Sequence, residues 1–174
     1  MERGSAFLKN QVDNAVLQHR AFLSALEDHE SQAEDPRFAA LCSRHIPHMR
    51  DHQRMLEEYQ SQLGGSPGLA KKSVGAAVGL ARDLADTARE SDFLRLVGDI
   101  VMSRQSEDTF KTFREAGKIM GNQTLHEIGD IAERHHDIYV KEANRLVQQM
   151  FVERVQGIDG SARRSAYVQL DARP

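Results

Sequence analysis

The sequence predicts an all-α protein: two antiparallel helical hairpins that form a four-helix bundle, joined by a long crossover containing an extra helix. Three observations carry that prediction. Few segments alternate like strands, and the stretches between glycine and proline clusters repeat their apolar residues at helical spacing. Two short breaks, "AEDPR" and "GN", each join a pair of long helical segments tightly. Between those pairs lies a stretch long enough to cross a bundle from end to end.

The elements follow in order. The first helix spans roughly 5–32 by its periodicity. In "AEDPR", Asp35 suits an N-cap and Pro36 a first-turn residue, so a second helix starts there and runs to about Leu63. "GGSPG" at 64–68 is the clearest loop of the chain. "LAKKSVGAAVGLARDLADTARES" follows, rich in Ala and Gly, and reads as a helix with a small-residue face. A long helix then runs from about Ser91 to Met120. Gly121 suits the left-handed C-cap that ends it. The last helix covers about Gln123 to Val155. Residues 1–155 make one domain, and 156–174 have no clear period, as expected of a loose or partner-docked tail. Two tight hairpins and one long connection make the ferritin-like arrangement. A simple up-down-up-down bundle with an inserted helix is the alternative.

Composition narrows the function. The chain has 174 residues, 40% hydrophobic and 28% charged, as in ordinary soluble globular proteins. Mean hydropathy is −0.56. No apolar run approaches the ~18 residues of a membrane span, and "MERGSAFLKN" lacks a signal-type stretch, so a cytoplasmic protein away from membranes is expected. A net charge of −3, no Trp and 6% aromatics argue against nucleic-acid binding. The single cysteine, Cys42, excludes an internal disulfide and a Cys-based zinc cluster, and it has no evident activating partner. No glycine loop has the phosphate-binding pattern. The unusual count is eight histidines.

Several histidines fall inside apolar stripes. On the second helix, Phe38, Leu41, His45, His48, His52, Met55 and Tyr59 step by three and four, the spacing of an inward seam. Pro47 lies among them and predicts a kink. The first helix repeats the pattern through Leu8, Val12, Ala15, His19, Phe22 and Leu26. On the last helix, Glu133 and His136 match the Glu-x-x-His spacing of carboxylate di-iron bundles. The apolar stripe through Ile128, Ile131, Ala132, Ile138, Tyr139 and Leu146 centres instead near His135. That leaves His136 at its edge and Glu133 pointing away. The third long helix offers Ser103, Ser106 and Glu107 beside Phe110. Counting residues from each hairpin turn puts His19, His45, His48, His135 and Glu107 at one level. His52 falls a turn away. His29 and His126, near helix ends, read as solvated.

Buried imidazoles need partners, and a metal ion provides them. The expected ligands are His19, His45, His48 and His135, with Glu107 or His136 in addition and the serines behind them. Iron or zinc is the expected ion. Two other readings fit the same residues. One is a histidine and water network in a metal-free interaction scaffold. The other is a haem or small-ligand pocket.

Three stretches also resemble the YciE/YciF-type ferritin-like proteins of bacteria. "DPRFAALCSRHIPHMRDHQRMLEEYQSQLGG" is similar to that family's second helix, and "DFLRLVGDIVMSRQSEDTFKTFREAGKIMG" to its third. "AERHHD" falls where the family carries two adjacent glutamates. The resemblance spans about 20–150. It implies the ferritin-like fold, a homodimer and a link to stress response. His19 stands at a family Glu, His45 at the family His and His48 at a second Glu. Ser103 and Ser106 replace the third-helix pair, and His135 and His136 the fourth. Carboxylates bridge two irons and neutral imidazoles do not, so the family's di-iron chemistry does not carry over.

Overall fold

The computed structural model describes residues 2–64 and 91–157. They form four α-helices and, among the described residues, no strand: α1 Glu2–Gln32, α2 Pro36–Gln62, α3 Asp92–Met120 and α4 Gln123–Gln156. The helix expected after "GGSPG" and the tail beyond Gly157 lie outside the described residues. No described helix is long and apolar enough to cross a membrane.

Local chemistry places the helix ends. The Asp35 side chain accepts from the Arg37 N–H, and Pro36, which has no N–H to satisfy, opens α2. Ser91 caps α3 and Asn122 caps α4 through bonds to Leu94 and Leu125. Gly121 ends α3 at φ 64°, a conformation that side chains with a Cβ disfavour. Pro47 sits on the exposed side of α2, which stays helical through it.

Each helix packs on two neighbours: α1 on α2 and α3, α4 on α2 and α3. Side-chain bonds give the directions. Lys9 reaches Gly64 and Gln60 reaches Asp13, so α1 and α2 are antiparallel. His29 reaches Asp99, and Arg95 reaches Gln32, so α1 and α3 are antiparallel. Arg37 reaches Glu153 and Asn122 reaches Tyr59, so α2 and α4 are antiparallel too. The start of α3 is tied to the start of α2, where Asp92 Oδ2 accepts from the Asp35 N–H at 2.7 Å. Gly64 and Ser91 therefore lie at opposite ends of the bundle.

The closest approach is between α3 and α4. A Cβ on Gly129 would lie 2.3 Å from the Arg114 backbone nitrogen and 2.6 Å from the Phe110 carbonyl oxygen. Gly129→Ala is therefore expected to cost at least about 2 kcal/mol, since backbone cannot step aside as a side chain can. A urea midpoint equal to that of the wild type would contradict this packing.

The apolar core is split in two. One half holds Phe22, Leu26, Phe38, Leu41, Met49, Leu96, Tyr139 and Leu146. The other holds Val12, Val16, Leu56, Phe110, Leu125, Ile128 and Ala132. Along α1, α2 and α4 the gap between the halves falls at His19, His52 and His136, all buried.

Candidate metal centre

Three helices each contribute one imidazole to that gap. His19, His52 and His136 are 1%, 0% and 0% exposed. Their ring centroids form a nearly equilateral triangle with sides of 5.7, 5.4 and 5.7 Å. One nitrogen from each ring lies within 4.8 Å of the other two. Donors at about 2.0–2.1 Å from a shared ion sit about 3.5 Å apart, so binding needs a closure of at most about 1.3 Å.

Each ring uses one nitrogen and leaves the other bare. His19 Nδ1 is 3.1 Å from Gln53 Oε1. The Gln53 amide donates its own hydrogens to Glu57 Oε1 and the Val16 carbonyl, so its oxygen must accept from His19. That fixes the proton on Nδ1 and leaves a lone pair on Nε2. His136 Nδ1 lies 2.8 Å from Ser103 Oγ, and His52 Nε2 lies 2.8 Å from His135 Nδ1. His19 Nε2, His52 Nδ1 and His136 Nε2 are buried with no hydrogen-bond partner. Outer partners of this kind orient metal-binding imidazoles and set their tautomers.

Burial also keeps the rings neutral. It pulls His19 down to about 4, only partly offset by the bond to Gln53. Burial and then the charges of His19, His135 and His48 bring His52 to about 2. His136 is held well below the ordinary histidine value by burial and by the other histidines. Near pH 7 all three rings are therefore neutral, each with one nitrogen lone pair, which in His19 lies on Nε2. Phe110 closes one side, 5.6, 6.0 and 5.4 Å from the rings of His19, His52 and His136. Phe22 stands 6.4 Å from His19 and 5.4 Å from His136.

The other candidates lie elsewhere. His45 is buried but faces α4, 3.2 Å from Glu142, with its ring against Tyr139. His48 is exposed rather than inward, its ring centroid 4.2 Å from that of half-buried His135 and tilted by 34°. Glu107 is bonded to Arg104 at 2.9 Å and joins no histidine group among the described residues. His52, expected a turn away, is central. His136, expected at the stripe edge, is central in place of His135. Glu133 pairs with Arg114, which leaves the Glu-x-x-His match without its carboxylate.

The reasons are rotational. Ile131 and Ile138 pulled the expected stripe of α4 toward His135, but Ile131 is half-buried and Ile138 is 46% exposed. The buried face of α4 turns toward α3 through Leu125, Gly129, Ala132, His136 and Tyr139. On α2 the buried path after His45 runs through Met49, His52 and Leu56 rather than through His48 and Met55.

Sequence reasoning also passed over Gln53, which orients His19, and Asp99. Asp99 is fully buried, accepts from His29 at 2.9 Å, and is 3.4 Å from the Tyr139 hydroxyl. His29 is therefore held by its hydrogen bond to Asp99 rather than solvated, and His126 bonds the Arg114 carbonyl at 3.0 Å. Only a carboxylate within the α3 seam could have signalled the Asp99 cluster. Cys42 is buried and its thiol is pushed up by burial, which makes it a core residue and no nucleophile.

Comparison with protein-family models, with curated proteins and with solved structures finds no match to this chain.

Proposed function

We propose that this chain is a metal-binding helical bundle that holds one transition-metal ion between His19, His52 and His136. One observation carries the reading: three buried imidazoles from three helices converge, one nitrogen of each within 4.8 Å of the other two, and every ring keeps a nitrogen without a hydrogen-bond partner. Each such orphan costs about 1–3 kcal/mol, and a shared ion removes all three costs together. A metal-free scaffold leaves them unexplained. A haem does not suit the site, because rings with centroids 5.4–5.7 Å apart leave no slot for a porphyrin.

The ferritin-like arrangement is part of the proposal. With all neighbours antiparallel, α2 and α3 run in the same direction from opposite corners, and their connection spans the length of the bundle. That supports one long crossover over a simple up-down-up-down path. On this reading the chain is a departure from the YciE/YciF-type proteins, with an all-nitrogen site where those carry carboxylates. Homodimerisation and a role in stress come with that resemblance alone, and a cytoplasmic setting with the sequence's lack of a signal-type or membrane-length apolar stretch.

Elemental analysis tests the metal. Purified untagged protein, reconstituted with iron, zinc or copper and then desalted, is expected to retain one ion per chain. His52→Ala, which removes one donor, should retain none. Equal metal in the two proteins, or none in either, would sink the proposal.

A further inference from the structure

We infer that the ion this site selects is copper(I), a singly charged cation, rather than zinc(II) or iron(II). The inference rests on the metal reading above and adds charge and coordination number to it.

Charge comes first. All three donors are neutral imidazoles, and no carboxylate belongs to the group. The nearby acids are already engaged. Glu57 is 2.6 Å from Arg20 and Glu107 2.9 Å from Arg104, and Asp99, whose carboxyl burial raises, is hydrogen-bonded to His29 at 2.9 Å. Glu133 pairs with Arg114. A bound ion therefore keeps its whole charge. It keeps it in apolar surroundings, between two apolar half-cores and beside the rings of Phe110 and Phe22. The cost of moving an ion out of water rises with the square of its charge, so a divalent ion costs about four times what a monovalent one does.

Donor count points the same way. The group has three members, one each from α1, α2 and α4. From α3 come Phe110, which packs on the rings, and Ser103, which is bonded to the outer nitrogen of His136. Ser106 leaves a buried hydroxyl without a partner, but it too is neutral. Zinc completes a three-histidine set only with a water as fourth donor, and iron(II) and copper(II) prefer more donors, with water or carboxylate among them. Copper(I) has a filled d shell, is satisfied by three donors, and binds imidazole. Zinc and iron, the ions expected from histidine content alone, suit a wetter or more acidic site.

Competition titration decides the matter. The metal-free full chain is titrated without oxygen near pH 7, with copper(I) against bicinchoninate and with zinc(II) and iron(II) against divalent chelators. One copper(I) per chain is expected, held at least ~1,000-fold more tightly than zinc(II). Zinc(II) or iron(II) bound as tightly, and lost in His52→Ala, would overturn the copper inference and leave the metal site standing. No ion bound in a His52-dependent way would overturn both. His52→Glu adds the missing negative charge and should move the preference about 100-fold toward zinc(II). An unmoved preference in folded His52→Glu would refute the charge argument, and the wild-type competition decides the inference if that variant does not fold.

Discussion

Acidification from about pH 7 to about pH 4 is expected to unfold the metal-free bundle, because three buried histidines resist protonation there and do not once unfolded. In an unfolded chain each titrates near its ordinary value of about 6.5. In the fold, burial draws His19 to about 4, His52 to about 2 and His136 well below that ordinary value. The folded values are the lower ones, so below pH ~6.5 the unfolded chain binds more protons. Stability is then level above that pH and falls as pH drops toward the folded values. Three such groups together cost about 4 kcal/mol for each pH unit between about 6 and about 4. His45 and His135, also lowered by burial, add to the loss. Asp99 opposes it, since burial raises its carboxyl and the fold takes up that proton first. One group does not offset three. A total stability of about 5–15 kcal/mol is exhausted within a few pH units. Far-ultraviolet circular dichroism against pH measures this directly. A helical signal unchanged down to about pH 4 would mean that these rings are not held neutral in the core. Bound metal should move the midpoint to lower pH, because only the folded, deprotonated trio binds it.

His52→Leu is expected to leave the metal-free protein as stable as the wild type or about 1–2 kcal/mol more stable, while metal binding is lost. Most core substitutions do the reverse. The reason lies in the partners. His52 Nδ1 is bare, and its other nitrogen bonds His135, which is half-buried and can turn to water. Leucine of similar size removes an unsatisfied polar group and strands little. His19→Leu is the contrast, because it leaves Gln53 Oε1 without its donor in a buried place and should cost about 1–3 kcal/mol. Urea unfolding of chelator-treated protein separates the two. A His52→Leu variant less stable than wild type by more than about 2 kcal/mol would show that this ring is there for structure. Site residues that weaken the fold until a ligand arrives are a mark of function.

Much of this architecture is written in local chemistry. Asp35 with Pro36, and Gly121 with Asn122, mark both hairpin turns without help from the rest of the chain. The α1 seam of Val12, Ala15, His19, Phe22 and Leu26 is equally plain, and all five residues are buried. The trouble began where a stripe had two plausible centres. His135 and His136 are adjacent, about 100° apart, and isoleucines at 131 and 138 weighted the choice toward the wrong one. The same rotation separates His48 from Met49. Gln53 and Asp99 were hidden for a different reason. Polar residues in a seam gain meaning only from what faces them, and nothing local to α2 or α3 announces His19 or His29.

By itself, then, the sequence determined that the described residues are helical, roughly where their helices begin and end, and that His19, His45 and His52 lie in helical seams. Caps, turns and period act within one or two helical turns, so one strand of text contains them. Only the tertiary structure decided that His19, His52 and His136 meet, that Asp99 holds His29, and that phenylalanine rather than carboxylate closes the site. A helix packed against two neighbours buries a face set by how closely each approaches. Here Gly129 brings the α3 backbone within the reach of a Cβ, and α4 turns toward α3 to pack there. That turn carries His136 inward and His135 to the rim, a choice made between helices rather than along one.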